Sequence, residues 1–223
     1  MTAKLFISAI AKFLLGVILV GALVFIPAGT FAYTGGIIFM CVLFIPMFIA
    51  GIVMMIKSPS LLEKRLSAKE KEKEQSTVVK LSGLMFLAGF IVAGLDFRFG
   101  WIRLPFAVNI VATAAFVIAY VLYAEVLREN AYLSRTIEVQ EGQKVVDTGL
   151  YGIVRHPMYA VTLLLFLSMP LILGSVISFA IFLAYPFIIA KRIKNEEQVL
   201  TEGLEGYSDY KSRVKYRLIP FIW

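Results

Sequence analysis

The sequence predicts an all-α integral membrane protein with five or six transmembrane helices. Of the 223 residues, 60% are apolar and only 17% are charged, which departs from the composition of a soluble domain. Several uninterrupted apolar stretches approach the roughly 20 residues that a helix needs to cross a bilayer. Helices are expected because backbone amides in lipid must be satisfied within their own segment or in a closed barrel.

Four clear membrane helices are predicted in the first part of the chain, at 5–26, 35–56, 81–96 and 105–126. An apolar block from Ala160 to Ala190 follows and is interrupted at Gly174-Ser175, which predicts a helical hairpin. Each arm has only about 15 residues, short for a full crossing, so five or six spans are expected. We therefore divide the chain into N-terminal helices at 1–126, with a loop at 57–80, and a C-terminal region at 127–223.

Basic residues predict the orientation. Seven Lys or Arg lie in the loop 57–80, four lie in 127–159 and seven lie from Lys191 onward, whereas 27–34 has none and 97–104 has two. The positive-inside rule then places the N-terminus, both large loops and the C-terminal tail in the cytoplasm. The net charge of +7 is thereby attributed to orientation and contact with membrane lipids, so that no nucleic-acid partner is expected.

Two features are expected to be structural. Ser60 is a candidate N-cap with Glu63 three residues later, which predicts a short amphipathic helix on the membrane surface. Cys41 stands alone in an apolar run, so it excludes a disulfide framework and is expected to be a small packed residue.

The segment 141–159, EGQKVVDTGLYGIVRHPMY, is polar and rich in turn residues and leads directly into an apolar helix. Pro157 suits the first turn of that helix. Free amides at the helix N-terminus, next to Arg155, predict an anion site. His156 is the only histidine in the chain, and a satisfied structural role and a functional role are both open for it.

The C-terminal tail carries a second set of candidates. Arg192 and Glu196 are four residues apart on a predicted helix, so they share a face, and an ordinary intrahelical ion pair would explain them. The adjacent carboxylates Glu196 and Glu197, close to anionic lipid headgroups, predict a cationic partner. A sulfonium ion would serve as that partner.

Together, TGLYGIVRHPMY, the hairpin and NEEQVLTEGLEGYSDYKSRVKYRLIP resemble the C-terminal signature of the isoprenylcysteine carboxyl methyltransferase family, with its prokaryotic members, and of the related phospholipid methyltransferases. The resemblance covers Gln143 to the end of the chain. It implies S-adenosyl-L-methionine as cofactor, held in a cytosolic pocket of helices and loops, which agrees with the absence of a GxGxxG fingerprint. It also implies a catalytic role for Arg192 and Glu196, with Arg192 facing the substrate. The implied cofactor contacts are Gln143, Lys144, Val145, Val146, Tyr151, His156, Pro157, Met158, Tyr159 and Glu196.

The methyl acceptor stays open at this stage. A lipophilic carboxylate, a thiol and a phospholipid amine are all compatible with the resemblance, and methyl transfer from a sulfonium requires no metal. The ending YRLIPFIW also resembles sterol reductases, which keeps an NADPH-dependent membrane enzyme as an alternative. A transporter or membrane scaffold is a further alternative, although Asp96 and Glu125 lie near span ends rather than near the midplane.

Overall fold

A computed structural model describes residues 3–59, 62–63, 66, 73–130, 132–133, 137 and 139–223, with the backbone alone at 3–4 and 73–76. These residues form helices joined by turns and loops, and no strand occurs among them, which confirms the predicted all-α class. The amphipathic helix expected from Ser60 lies largely outside the described residues.

Four long helices make up the first half of the chain. They are α1 (Ala3–Ala28), α2 (Thr34–Lys57), α3 (Lys73–Phe99) and α4 (Phe106–Glu129). Each extends one to eight residues beyond the predicted span at one or both ends, because polar residues at the membrane boundary continue the helix that the apolar run begins.

The second half holds the predicted hairpin. A 3-10 turn at Gly149–Gly152 precedes α5 (Pro157–Ile172), α6 (Val176–Phe182), α7 (Tyr185–Gly203) and the short α8 (Tyr207–Arg213). The break at Gly174-Ser175 is confirmed, and Gly174 has a φ of 76°, which glycine adopts without steric cost. The second arm is itself divided between Phe182 and Tyr185, where a proline enters the first turn of α7.

Hydrogen bonds show which helix ends meet at the hairpin turn. The Tyr33 hydroxyl at the start of α2 donates to the carbonyl of Leu173, and Asn109 Nδ2 at the start of α4 donates to the carbonyl of Ile172 at 2.9 Å. Ser175 Oγ donates to the buried Asp96 carboxylate, near the end of α3, at 2.5 Å. The turn therefore lies at one end of the helix bundle.

The start of α5 lies at the opposite end of the bundle. The amide of Leu150 donates to the Glu129 carboxylate at the end of α4 at 3.0 Å, and Asn130 Nδ2 donates to the Tyr151 hydroxyl at 3.0 Å. Helix α5 thus runs between the two ends with only 16 residues, a rise of about 24 Å. Five stretches are long and apolar enough to span a membrane, at 5–28, 34–57, 77–99, 106–129 and 176–203, and α5 is a shorter sixth.

The outward faces of the helices are apolar, as expected of a multi-pass membrane protein. Large side chains such as Ile18 and Val111 are each 68% exposed, a pattern that a soluble monomer rarely shows over a wide surface. Cys41 lies on such a face of α2 and is exposed, so the expectation of a packed cysteine is wrong. A thiol side chain is compatible with lipid as well as with the protein interior. The apolar residues around Cys41 in the sequence therefore could not show whether it faces the lipid or the helix bundle.

Close packing of α1 against α3 depends on Gly94. A methyl group at this position would lie 2.6 Å from the carbonyl oxygen of Val24 in α1, whereas the exposed Gly83 in the same helix has no atom within 4 Å of the equivalent point.

We predict that Gly94→Ala lowers the thermal midpoint of the detergent-solubilised protein by about 3–10 °C, because the two backbones must separate. Gly83→Ala is the matched control and should leave the midpoint unchanged or slightly raised. Equal midpoints for the two variants would contradict this packing.

Candidate functional site

A cleft opens at the bundle end that holds the start of α5. Its walls come from the described residues of the loop 130–146, the 3-10 turn, the first turn of α5, the part of α7 from Arg192 onward and helix α8. The residues that line it are Asn130, Tyr132, Leu133, Ile137, Gln143, Lys144, Val145, Val146, Tyr151, Arg155, His156, Met158, Tyr159, Arg192, Glu196, Leu200, Leu204, Tyr207 and Tyr210. Nine of the ten cofactor contacts implied by resemblance are among them, together with Arg192.

Pro157 is the implied contact that does not line the cleft. It is buried at the first position of α5, where its missing N–H leaves no unsatisfied donor. Its ring fixes the backbone between His156 and Met158, which both line the cleft. The structure therefore gives Pro157 a conformational role.

Tyr159 connects Arg192 with Glu196. Arg192 Nε donates to the Tyr159 hydroxyl at 2.9 Å, and that hydroxyl donates in turn to the Glu196 carboxylate. The two α7 side chains thus share a face as the spacing predicted. The contact between them is relayed by a buried tyrosine of α5, so the simple intrahelical ion pair does not explain them.

His156 lies between the two adjacent carboxylates. Its Nδ1 is 3.9 Å from Glu196 Oε1 and its Nε2 is 3.3 Å from Glu197 Oε1. The ring stacks on Tyr159 with 5.7 Å between centroids. The side chain is buried, so the histidine both lines the cleft and contacts the charged cluster beneath it.

Glu197 is the centre of that charged cluster. The carboxylate is only 3% exposed and accepts hydrogen bonds from Arg155 Nε at 2.7 Å and from Arg217 Nε at 3.0 Å. Lys211 Nζ lies 3.9 Å away. The cationic partner expected for the Glu196-Glu197 pair is thus supplied to Glu197 by the protein itself.

Arg155 is committed to this cluster. Besides Glu197, its guanidinium donates through Nη1 to the carbonyls of Val214 and Lys215, at 2.7 and 2.8 Å. The amides of Arg155 and His156 donate to the carbonyls of Tyr216 and Arg217, each at 2.9 Å. Arg155 and the two amides before α5 therefore donate to Glu197 and to the folded-back C-terminal tail, and the anion site expected at the start of α5 stays a prediction.

The loop that enters the cleft is shaped by a glycine. Gly149 has a φ of 52°, and a methyl group there would overlap the Glu129 carboxylate, which accepts from the Leu150 amide.

Burial raises the pKa of the neighbouring Tyr151 well above its usual value, although the hydrogen bond from Asn130 acts to lower this pKa. The Tyr151 hydroxyl is therefore protonated at neutral pH and can act as a donor.

Helix α8 contributes cleft residues that the sequence reasoning missed. Tyr207 and Tyr210 of α8 form a small apolar cluster with Leu204, which lies in the turn before the helix, and Val139 and Val145 pack against this cluster. The Tyr210 hydroxyl donates to the carbonyl of Tyr151 at 2.8 Å. Two tyrosines at the helical spacing of three residues were the available signal, but a tyrosine pair on a short helix more often serves packing.

The fold and the cleft define a helical membrane protein with a polar site at one end of its bundle. Residues 111–202 match the model of the isoprenylcysteine carboxyl methyltransferase (ICMT) family, and this match confirms the family resemblance. The matched region includes most of α4, the cleft loop, the hairpin and most of α7. It begins upstream of Gln143, the first residue of the sequence resemblance, and ends before α8.

A curated relative is a delta(14)-sterol reductase of Mus musculus. It is 30% identical over 91 residues, which cover 40% of this chain and only 22% of the reductase. The chain thus matches about a fifth of the length of that relative. The likeness is local and concerns a part of the reductase.

The Glu197 cluster should contribute strongly to stability, since a buried carboxylate with several cationic partners cannot be neutralised without leaving those partners uncompensated. We predict that Glu197→Gln destabilises the protein by about 2–4 kcal/mol, measured as a lower thermal midpoint in detergent.

Glu196→Gln is the matched control on the adjacent residue. The amide oxygen of the new glutamine can still accept from Tyr159, so the thermal midpoint of this variant should lie close to that of the wild type. A larger loss for Glu196→Gln than for Glu197→Gln would contradict the assignment of the two carboxylates.

Proposed function

We propose that the protein transfers a methyl group from S-adenosyl-L-methionine to a lipophilic acceptor at the membrane. The observation that carries the proposal is the cleft, where Glu196, Tyr159 and Arg192 form one hydrogen-bonded set at the end of the apolar bundle. The ICMT family match over residues 111–202 supports methyl transfer as the reaction class.

The chemistry of the cleft suits a sulfonium donor. Glu196 supplies a carboxylate, and the ring of Tyr159 lies beside it with His156 stacked against it. A carboxylate and aromatic faces both favour a cation. Gln143, Lys144, Val145 and Val146 also line the cleft. We expect a nucleoside or amino-acid portion of the donor to bind beside them.

Glu196 is proposed to bind a cationic or hydrogen-bonding part of the donor, and Tyr159 to hold that carboxylate in place. Arg192 is proposed to orient an anionic acceptor, because a guanidinium matches carboxylate and phosphate geometry. When bound, the donor supplies a methyl group whose S–C bond breaks as the bond to the acceptor forms. The protein contributes alignment of the two reactants in a water-poor cleft.

The cleft is proposed to face the cytoplasm. The connections at its end of the bundle are those rich in Lys and Arg, whereas the end with the hairpin turn has Arg98 and Arg103. By the positive-inside rule both termini would then be cytoplasmic. The acceptor is proposed to be a membrane-resident carboxylate, thiol or phospholipid amine, since apolar helix faces adjoin the cleft.

A second candidate is an NADPH-dependent reductase. The observation in its favour is the local 30% identity to the delta(14)-sterol reductase. The two candidates predict different ligands for the same cleft, so ligand binding separates them.

We predict that calorimetry of the purified protein detects binding of S-adenosylhomocysteine and none of NADPH at the same concentration. Glu196→Gln should weaken the binding of S-adenosylmethionine about tenfold, because a charge-assisted contact in the cleft is lost. Binding of NADPH alone would favour the reductase. Unchanged S-adenosylmethionine affinity in Glu196→Gln would show that the Glu196 assignment is wrong.

A further inference from the structure

Tyr207 begins helix α8 and lies beyond the residues that match the family. Its side chain lines the cleft and is only 4% exposed. The position is fixed by the turn before it, where Gly206 has a φ of 81°, and by two contacts of the same helix. These contacts are the hydrogen bond from Tyr210 to Tyr151 and the ion pair between Arg213 and Asp147 at 2.8 Å.

The Tyr207 hydroxyl has no hydrogen-bond partner within the described part of the chain. Buried polar groups in folded proteins are nearly always hydrogen-bonded, so each exception requires a reason. The contrast with Tyr210, one helical turn further on, is direct, since that hydroxyl donates to the Tyr151 carbonyl at 2.8 Å. Helix α8 thus places one satisfied and one unsatisfied hydroxyl beside the same cleft.

Burial raises the pKa of Tyr207 well above its usual value, with Glu197 and Glu196 adding to the effect. The hydroxyl is therefore protonated at neutral pH and is available as a donor.

We propose that Tyr207 is a ligand-binding residue whose hydroxyl donates a hydrogen bond to an acceptor atom of the bound methyl donor. The inference rests on the proposed function and extends the donor site to helix α8. The side chain of Tyr207 reaches the cleft from the C-terminal tail, so the tail takes part in donor binding as well as in closing the fold.

The test compares Tyr207→Phe with Tyr210→Phe in the full-length protein in detergent. Two quantities are measured for each variant: the thermal midpoint without ligand and the affinity for S-adenosylhomocysteine by calorimetry. Tyr207→Phe should keep the wild-type midpoint, because no bond within the protein is lost, and should bind about three- to tenfold more weakly. Tyr210→Phe should lower the midpoint by a few degrees, because the Tyr151 carbonyl loses its donor.

Two results would overturn the inference. One is wild-type affinity of Tyr207→Phe for S-adenosylhomocysteine, which would mean that the hydroxyl contacts an ordered water only. The other is a clear loss of midpoint in ligand-free Tyr207→Phe, which would mean that the hydroxyl has a partner within the protein. Failure of the wild-type protein to bind S-adenosylhomocysteine would instead contradict the proposed function itself.

Discussion

The buried carboxylate of Glu197 joins three parts of the chain that are far apart in sequence. It lies on α7, accepts from Arg155 just before α5, and accepts from Arg217 in the C-terminal tail. The tail carbonyls then satisfy the amides of Arg155 and His156. A charge buried to this degree is tolerated only with such partners, so the relative positions of α5, α7 and the tail depend on it.

The same cluster determines which carboxylate is left for the cleft. Successive residues on a helix point about 100° apart, so Glu197 faces the cluster while Glu196 faces the cleft, with His156 between the two carboxylates. There the Tyr159 hydroxyl bonds to Glu196 and accepts from Arg192. Neighbouring residues of the same type thus have different roles, one in assembly and one in the proposed chemistry.

The sequence predicted the helices and the hairpin because hydropathy and a glycine-serine break are local properties. The convergence of His156 and Glu196 followed from family resemblance and not from spacing. Arg155 was assigned to a ligand because a guanidinium beside a helix N-terminus is compatible with either a ligand or a carboxylate. Its true partner, Glu197, is 42 residues away and could not be identified without the fold. Tyr207 was missed because only the fold brings helix α8 to the cleft.

The most direct test of methyl transfer in this cleft is incorporation of a radiolabelled methyl group. Purified protein is incubated with labelled S-adenosylmethionine and a membrane lipid extract, and lipophilic products are separated and counted. We expect a labelled lipophilic product with the wild type. Arg192→Ala should give about a tenth of that amount or less, because the acceptor is no longer oriented by the guanidinium. No label above the protein-free control, in a preparation that binds S-adenosylhomocysteine, would contradict transfer to a lipophilic acceptor.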